Sequence, residues 1–398
     1  MNSLDARHDI VIAGGGLAGA SLGIGLARAG FDIAIVEAVG RGAEQQPSYD
    51  DRTLVINRAS LNILSRLGIC DDALPQRPIR AIEVSRDGGF GHVRLNAAEL
   101  GVDRVGAVIV ARELGSRLQQ EMQAAQLTEY CPERVETFQV EEDCVRLRLS
   151  AGQRIETRLL VAADGTGSTV RQAAGIASTM HDYRQSAMIF NVLADPASSD
   201  VAHERFTECG PLAFLPQPEG RYGAVVIGAG DWIETAMGWN DGELLAWLDH
   251  HAAADFRGFS RPGKRVRYPL KLLRTEIPIG NRVVAIGNAA NTVHPVSAQG
   301  LNLGLRDVAG LIEALDGAKD PGAPVRLARY LALRREDQAE TVRYTDTLAR
   351  AFSNPSLPFR LGTGLGLAAH ALLPGLRRRL AIGAMGFRGP GLRLAQEL

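Results

Sequence analysis

The sequence predicts an α/β fold: a parallel-sheet domain assembled from separated stretches of chain, an inserted β-sheet domain, and a helical carboxyl-terminal segment. Three observations carry this. Residues 9–37, DIVIAGGGLAGASLGIGLARAGFDIAIVE, run strand, glycine turn, helix, strand. Two further apolar strands, 159–163 and 282–286, each end in a glycine-containing turn. Between them, from about Gln185 to Leu272, the chain changes to strand-like stretches broken by Gly and Pro. The parallel-sheet domain is therefore expected from residues 1–75, 106–180 and 276–345, the inserted sheet domain from 76–105 and 181–275, and the helical segment from 346–398.

The opening strand, Ile10 to Ala13, leads into Gly14, Gly16 and Gly19 at G-x-G-x-x-G spacing. Gly14 permits a tight turn, Gly16 lets backbone approach a pyrophosphate, and Gly19 lets helix and strand pack closely. The helix that follows turns its free N–H groups toward the phosphates. Glu37, at the end of the second strand, suits the ribose hydroxyls and repels a 2′-phosphate, which favours FAD or NAD over NADP. Asn57 to Leu67 reads as a helix through Leu61, Leu64 and Leu67, and Arg112 to Ala125 as another through Leu114, Leu118 and Met122. Val145, Leu147 and Leu149 alternate into a turn at Ala151-Gly152 and a hairpin partner that leads to the strand Leu159 to Ala163. That strand delivers Asp164-Gly165 to the carboxyl edge of the sheet, where open α/β sheets bind ligands. In the inserted domain, Gly210 to Pro216 and Tyr222 to Ile227 read as strands. After the strand Arg282 to Ile286 come Gly287-Asn288-Ala289-Ala290, a long loop, and a helix from about Gly300.

The 398 residues carry a formal net charge of −1, which gives no general reason to bind nucleic acid. Cys70, Cys131, Cys144 and Cys209 have no metal-ligand spacing and no signal peptide precedes the first strand, so a reducing cytoplasm is expected. No apolar run reaches the roughly 20 residues of a spanning helix, while surface attachment to a membrane stays open. The histidines, including His250-His251, lack a third partner at metal-ligand spacing, and no metal site or hydrolytic triad stands out.

Three separated motifs together resemble the group A FAD-dependent aromatic hydroxylases: the glycine fingerprint, A-D-G-T-G-S-T-V-R at Ala163 to Arg171, and G-N-A-A-N-T-V-H-P-V-S-A-Q-G-L-N-L-G-L-R-D at Gly287 to Asp307. More narrowly, E-R-F-T at Glu204 to Thr207, G-P-L-A-F-L-P at Gly210 to Pro216, and G-N-A-A followed by His294-Pro295 resemble the ubiquinone-biosynthesis branch, nearest to hydroxylases of 2-polyprenyl-6-methoxyphenol. The resemblance covers nearly the whole chain. It implies a Rossmann-like FAD-binding domain of the para-hydroxybenzoate hydroxylase type. It further implies a monooxygenase that hydroxylates the ring of a polyprenyl phenol, with NAD(P)H as transient reductant and O2 activated as a flavin C4a-hydroperoxide.

For the site, the resemblance implies FAD contacts at Gly14, Gly16, Gly19, Glu37, Arg52, Arg112, Asp164, Gly165, Gly287, Asn288, Pro295, Gln299, Gly300, Leu301 and Asn302. Arginine suits FAD because its fork donates in pairs to phosphate or carbonyl oxygens. Pro211, Leu212, Phe214 and Pro216 are expected to cover the substrate. His294, beside Pro295, is either a base that deprotonates the phenol or a ring that orders the loop. Two departures stand out: Asn288 where the family usually carries Asp, and Ser297-Ala298 where Ala-Gly is common. The segment Phe359 to Leu398 joins apolar stretches to Arg377-Arg378-Arg379, which suits either an anionic membrane surface or packing on the cofactor domain or in a homo-oligomer. A quinone-biosynthesis assembly is a further partner it implies. A flavin reductase of the same fold, or a non-catalytic component of that assembly, are the rival readings.

Overall fold

The computed structural model describes residues 4–40, 50–195, 199–253, 255–353, 357–388 and 391–396. The first sheet has the order Ile279–Gly280, Val283–Ala285, Arg154–Ala162, Ala6–Ala13, Ile33–Val36, Thr128–Tyr130. The last five of these strands run parallel, with Ile12 opposite both Val161 and Ile35. Val11, Ala13 and Leu160 are buried on one face, Ile10, Ile12 and Ile35 on the other, so these strands read as unbroken apolar runs. Arg154–Ala162 also pairs antiparallel with Val145–Leu149, so hairpin arm and central strand are one element.

Helices α1 (Leu17–Arg28), α2 (Arg58–Arg66) and α3 (Ala111–Ala124) join the core on the Ile10 face. Asn57 starts α2 by accepting the Ser60 amide at 3.0 Å, as an N-cap should. Asp164 lies between the central strand and the short helix α4 (Thr169–Ala173).

The second sheet runs Asn291–Thr292, Val266–Thr275, Ser178–Asp195, Arg221–Ala229, Pro211–Pro216, Val201–Phe206, Ala81–Arg86, His92–Asn96. All its pairings in this path are antiparallel except that of Val201–Phe206 with Ala81–Arg86. Its outer face is covered by α5 (Gly230–Met237) and α6 (Asp241–His251), whose Ile233, Ala236, Leu244 and Leu248 pack on Phe190, Leu212, Phe214 and Val226. The strand-like reading of this region had no helices. The overlooked signal is a capping box, in which Asn240 and Glu243 exchange side-chain to backbone hydrogen bonds at 3.0 and 2.8 Å. A third, small sheet of Thr53–Asn57, Gly106–Val110 and Arg77–Ile79 shares residues with the cavity described below.

Helix α7 (Gln299–Leu315) packs against α1, and α8 (Pro324–Ser353) against α7. Because α8 runs unbroken, a boundary at 345 falls inside a helix, and one at 180 falls inside the strand Ser178–Asp195. Helices α9 (Leu357–Leu372) and α10 (Pro374–Ala384) pack on His92–Asn96 through Leu367 and Ala381. The chain then returns to α2: Leu392 and Ala395 enter the main core, and Asn62 Nδ2 donates to the Ala395 and Gln396 carbonyls at 3.1 and 2.9 Å.

Candidate active site

One cavity of about 1090 Å³ lies between the sheets, larger than the roughly 300–1,000 Å³ of a pocket for a single small molecule. One end is the glycine turn. Gly14 has φ +106°, and a Cβ there would overlap the Ala163 carbonyl; a Cβ on Gly19 would overlap the Gly14 carbonyl. Both collisions are with backbone, so only glycine fits. Gly16 caps α1, whose first turn holds no acidic residue. Glu37 follows its strand directly, and its carboxylate accepts the Gly15 amide at 2.6 Å and the Val39 amide at 2.8 Å. These bonds fix the carboxylate at the cavity wall with lone pairs left for a diol. Asp164 Oδ2 accepts the Thr169 amide at 2.9 Å, whereas Oδ1 is buried without a hydrogen-bond partner among the described residues. A glycine cradle, a fixed acid for a ribose and an orphaned carboxylate oxygen fit a flavin dinucleotide.

The opposite wall is the 287–302 segment. The Gly287 amide donates to Asp307 Oδ2 at 3.1 Å, and Gly287, Asn288, Pro295, Gln299, Gly300, Leu301 and Asn302 all line the cavity. Ser297 and Ala298 both take left-handed backbone, φ +63° and +49°. Gln299 Nε2 donates to the Ser297 carbonyl at 3.1 Å. Asn302 Nδ2 donates to the carbonyls of Val55 and Ala298 at 2.8 and 2.7 Å, and its Oδ1 accepts the Asn57 amide at 2.9 Å. Asn302 thus spends its polar atoms tying α7 to the strand Thr53–Asn57. The N-terminus of α7, without an acidic residue in its first turn, opens on the cavity and favours negative charge there.

This wall is held from behind by buried charges. Arg334 Nε donates to Asp307 at 2.9 Å, Arg334 Nη1 lies 2.6 Å from Asp337, and Arg306 Nε donates to Asp337 at 2.8 Å, with all four side chains at most 2% exposed. Burial pushes the Asp337 carboxyl up, but Arg306 and Arg334 outweigh it and hold it at about 2.

The structure redistributes several expected site residues. Arg52 lines the cavity, its Nε donating to Asp50 at 2.8 Å and its guanidinium lying 5.2 Å from the Tyr268 ring centre. Arg112 does not: its side chain is 56% exposed and paired with Asp51. Gly165 lines the cavity, whereas Gly19 works by packing behind it. Of the expected substrate wall only Pro211 faces the cavity. Leu212 and Phe214 turn to the α5 and α6 side, Pro216 shares their phase, and Ala213 and Leu215 take the cavity positions. The pleat decides this, since neighbouring side chains on a strand leave by opposite faces. Ala187, Ile189, Val225, Ile227 and Leu270 complete the apolar end.

His294 is likewise corrected as a base. It is 1% exposed, off the cavity, and meets the Tyr183 ring edge-on at 5.0 Å. Its Nδ1 accepts the Val296 amide at 3.2 Å, so Nε2 carries the proton donated to Gln185 Oε1 at 3.2 Å. Burial lowers its pKa to about 4, keeping it neutral. It orders the loop, and Pro295 next to it reaches the cavity.

Glu204, in the E-R-F-T stretch, has no polarity pattern around it that marks a chemical role, yet it lines the cavity and accepts the Ser297 amide at 3.4 Å; burial raises its pKa to about 7. Glu83, His203 and Asp255 bring one ligand atom each within 4.8 Å, a grouping that separations of 120 and 52 residues hide in the sequence. Arg94 already binds the Glu83 carboxylate, so we read it as an ion-pair cluster.

The model of the FAD binding domain family matches residues 7–234. The ubiquinone hydroxylase UbiL of Rhodospirillum rubrum is 33% identical over 96% of this chain and 91% of its own length. The 3-demethoxyubiquinol 3-hydroxylase of Escherichia coli is 31% identical over 95% and 98%. Among solved structures, the p-nitrophenol 4-monooxygenase PnpA of Pseudomonas putida superposes with a TM-score of 0.79 at 17% identity, covering 98% of this chain and 100% of that one. PqsL of Pseudomonas aeruginosa gives 0.76 at 22% identity, covering 90% and 100%. These two show the fold; the family match and the two relatives above 30% identity show that the chain belongs to the FAD binding domain family, among its ubiquinone hydroxylases, and is an FAD-dependent aromatic hydroxylase.

Proposed function

We propose that this enzyme hydroxylates the ring of a polyprenyl phenol in ubiquinone biosynthesis, drawing on NAD(P)H and O2. The observation that carries the reading is a single cavity that joins a dinucleotide cradle to an apolar chamber. The turn at Gly14 to Gly19 would take the pyrophosphate, Glu37 the ribose, Asp164 and Asn288 the ribityl region, and the α7 N-terminus the flavin ring. Bound FAD, once reduced, supplies the activation of O2. Around it, Pro211, Ala213, Leu215, Val225 and Ile227 seat the aromatic ring and keep water out, which protects the reactive species from discharge. Tyr268, whose hydroxyl donates to Asp50 at 3.2 Å, and Arg52 close the rim between the sheets.

The carboxyl-terminal helices support contact with a membrane surface. Leu372, Leu373, Leu365 and Leu376 project outward, Leu372 to 79% exposure, beside the exposed Arg378 and Arg379. Ala384, at the end of α10, lines the cavity, so the same helix adjoins both the exposed leucines and the chamber that would take the prenyl phenol. No described helix is long and apolar enough to cross a membrane. Leu372→Glu with Leu373→Glu should abolish flotation with anionic vesicles while FAD content is unchanged. Truncation after Asn354 is a poorer test, because it also removes the buried Met385, Leu392 and Ala395.

The test of the reaction is turnover of the FAD-loaded enzyme with NAD(P)H, labelled O2 and two short-chain substrates, a prenyl methoxyphenol and a demethoxyubiquinol. One labelled atom in a ring establishes monooxygenation and names the step. Reductant consumed with peroxide as the sole oxygen product would establish a reductase instead.

A further inference from the structure

Glu204 stands where the apolar chamber meets the α7 entrance, and a phenol seated there must lose its proton as its ring is attacked. The other cavity-lining acids are elsewhere: Glu37 and Asp164 at the dinucleotide cradle, and Glu133 and Glu136 on the stretch that follows the first sheet's edge strand. His203 also lines the cavity, but its ring packs against Phe256 and Tyr222, and the Tyr268 hydroxyl is engaged by Asp50. On the flanking strands, Glu204 is paired with Ala213 and Val84, both apolar. From the loop it receives only the Ser297 amide, and from α8 it faces Tyr344, over whose ring the Arg388 guanidinium sits at 4.1 Å. Among the described residues no cation pairs with its carboxylate, so one oxygen remains open to a ligand.

We propose that Glu204 is the catalytic base that accepts the proton of the substrate phenol, a role that rests on the phenol hydroxylation proposed above. In this step the phenol O–H bond breaks, the proton passes to a Glu204 carboxylate oxygen, and the electron pair left on the phenol oxygen is released into the ring. Glu204 is partly buried and opens on the cavity, so the proton can later leave by that route. Burial raises its pKa to about 7, so it is ionised on the alkaline side of neutrality and is matched to a base working there.

The experiment compares the FAD-loaded wild type with Glu204→Gln, whose amide oxygen still accepts the Ser297 amide and so preserves the tether. Two readouts are taken from pH 5 to 9 with the prenyl methoxyphenol and the demethoxyubiquinol: binding of the ligand, and the rate of labelled product. Expected for the wild type is a rate that rises with a midpoint near 7 while ligand binding stays level. Expected for E204Q is a rate about 100-fold lower without that rise, with unchanged FAD content and ligand binding. Glu204→Asp should recover part of the rate. Equal rates and equal pH profiles in wild type and E204Q would overturn the assignment. The rise in the wild type and its loss in E204Q with the demethoxyubiquinol, without labelled product from the methoxyphenol, would uphold the base and instead overturn the methoxyphenol as substrate.

Discussion

Two turns face the cofactor cavity, and they reach sharp backbone geometry by opposite means. At Gly14 to Gly19 the chain uses glycine, so the conformation needs no outside support beyond the packing of α1 on its strand. At Ser297 to Gly300 the left-handed residues are Ser297 and Ala298, and neighbours impose their geometry. Glu204 holds the Ser297 amide, Gln299 the Ser297 carbonyl, Asn302 the Ala298 carbonyl, and the Asp307, Arg334, Asp337 and Arg306 lattice fixes α7 behind them. The first turn is written locally; the second is a property of the tertiary structure.

The largest way to break the second turn is from behind. Arg334→Met leaves Asp307 and Asp337 short of a buried cationic partner and should cost about 3–5 kcal/mol. Because Asp307 also holds the Gly287 amide, retained protein should lose FAD affinity as well, read by flavin content against thermal midpoint. Gly19→Ala attacks the first turn. Its Cβ meets backbone that cannot rotate away, so about 3 kcal/mol and most FAD binding should go, while the 297–300 side chains are untouched.

Glu204→Gln sharpens the comparison through pH. The wild-type carboxyl has a folded pKa raised by burial from 4.5 to about 7, so its favourable contribution is full below 4.5 and is lost as pH rises through 7. The variant carries no such titration. Between pH 5 and 8 its stability should gain on the wild type by up to about 3 kcal/mol, seen as a widening gap in unfolding midpoints. A gap that stays constant with pH would mean that Glu204 is ionised throughout.

The same contrast explains what could be read from sequence. The first turn was legible because the constraint is carried by residue type and spacing within thirty residues. Asn302 and Gln299 were legible as positions, but their work as backbone ties was not, since Asn302 binds residues 245 and 247 places away. In Pro211–Pro216 both faces are apolar, one toward α5 and α6 and one toward the cavity, so no polarity pattern marks which residues meet the substrate. His294 looked reactive in isolation; Gln185 and Tyr183, from a distant strand, bury and occupy it. Arg112, read as an FAD contact, has an exposed side chain paired with Asp51 and is not among the residues that line the cavity. Glu204 was visible only as part of a motif, because its burial is made by Ser297 and Tyr344.

The smallest effect tests whether the second turn stores strain at all. Left-handed backbone costs an alanine about 1–2 kcal/mol, which glycine avoids, while glycine gives back roughly 0.5–1 kcal/mol through the freedom of the unfolded chain. Ala298→Gly, at φ +49°, should therefore stabilise the enzyme by about 0.5–1 kcal/mol, seen as a small rise in the unfolding midpoint at saturating FAD. The Asn302 bond to its carbonyl needs no side chain at 298 and should persist. Gly→Ala at position 14 runs the same exchange in reverse, with an added collision against the Ala163 carbonyl, and should cost far more. A rise for Ala298→Gly beside a steep fall for Gly14→Ala would show that the neighbours of the second turn hold a conformation that the first obtains from its glycine. A fall for Ala298→Gly would mean that its methyl packs productively on the cavity wall and that the neighbours carry no strain there.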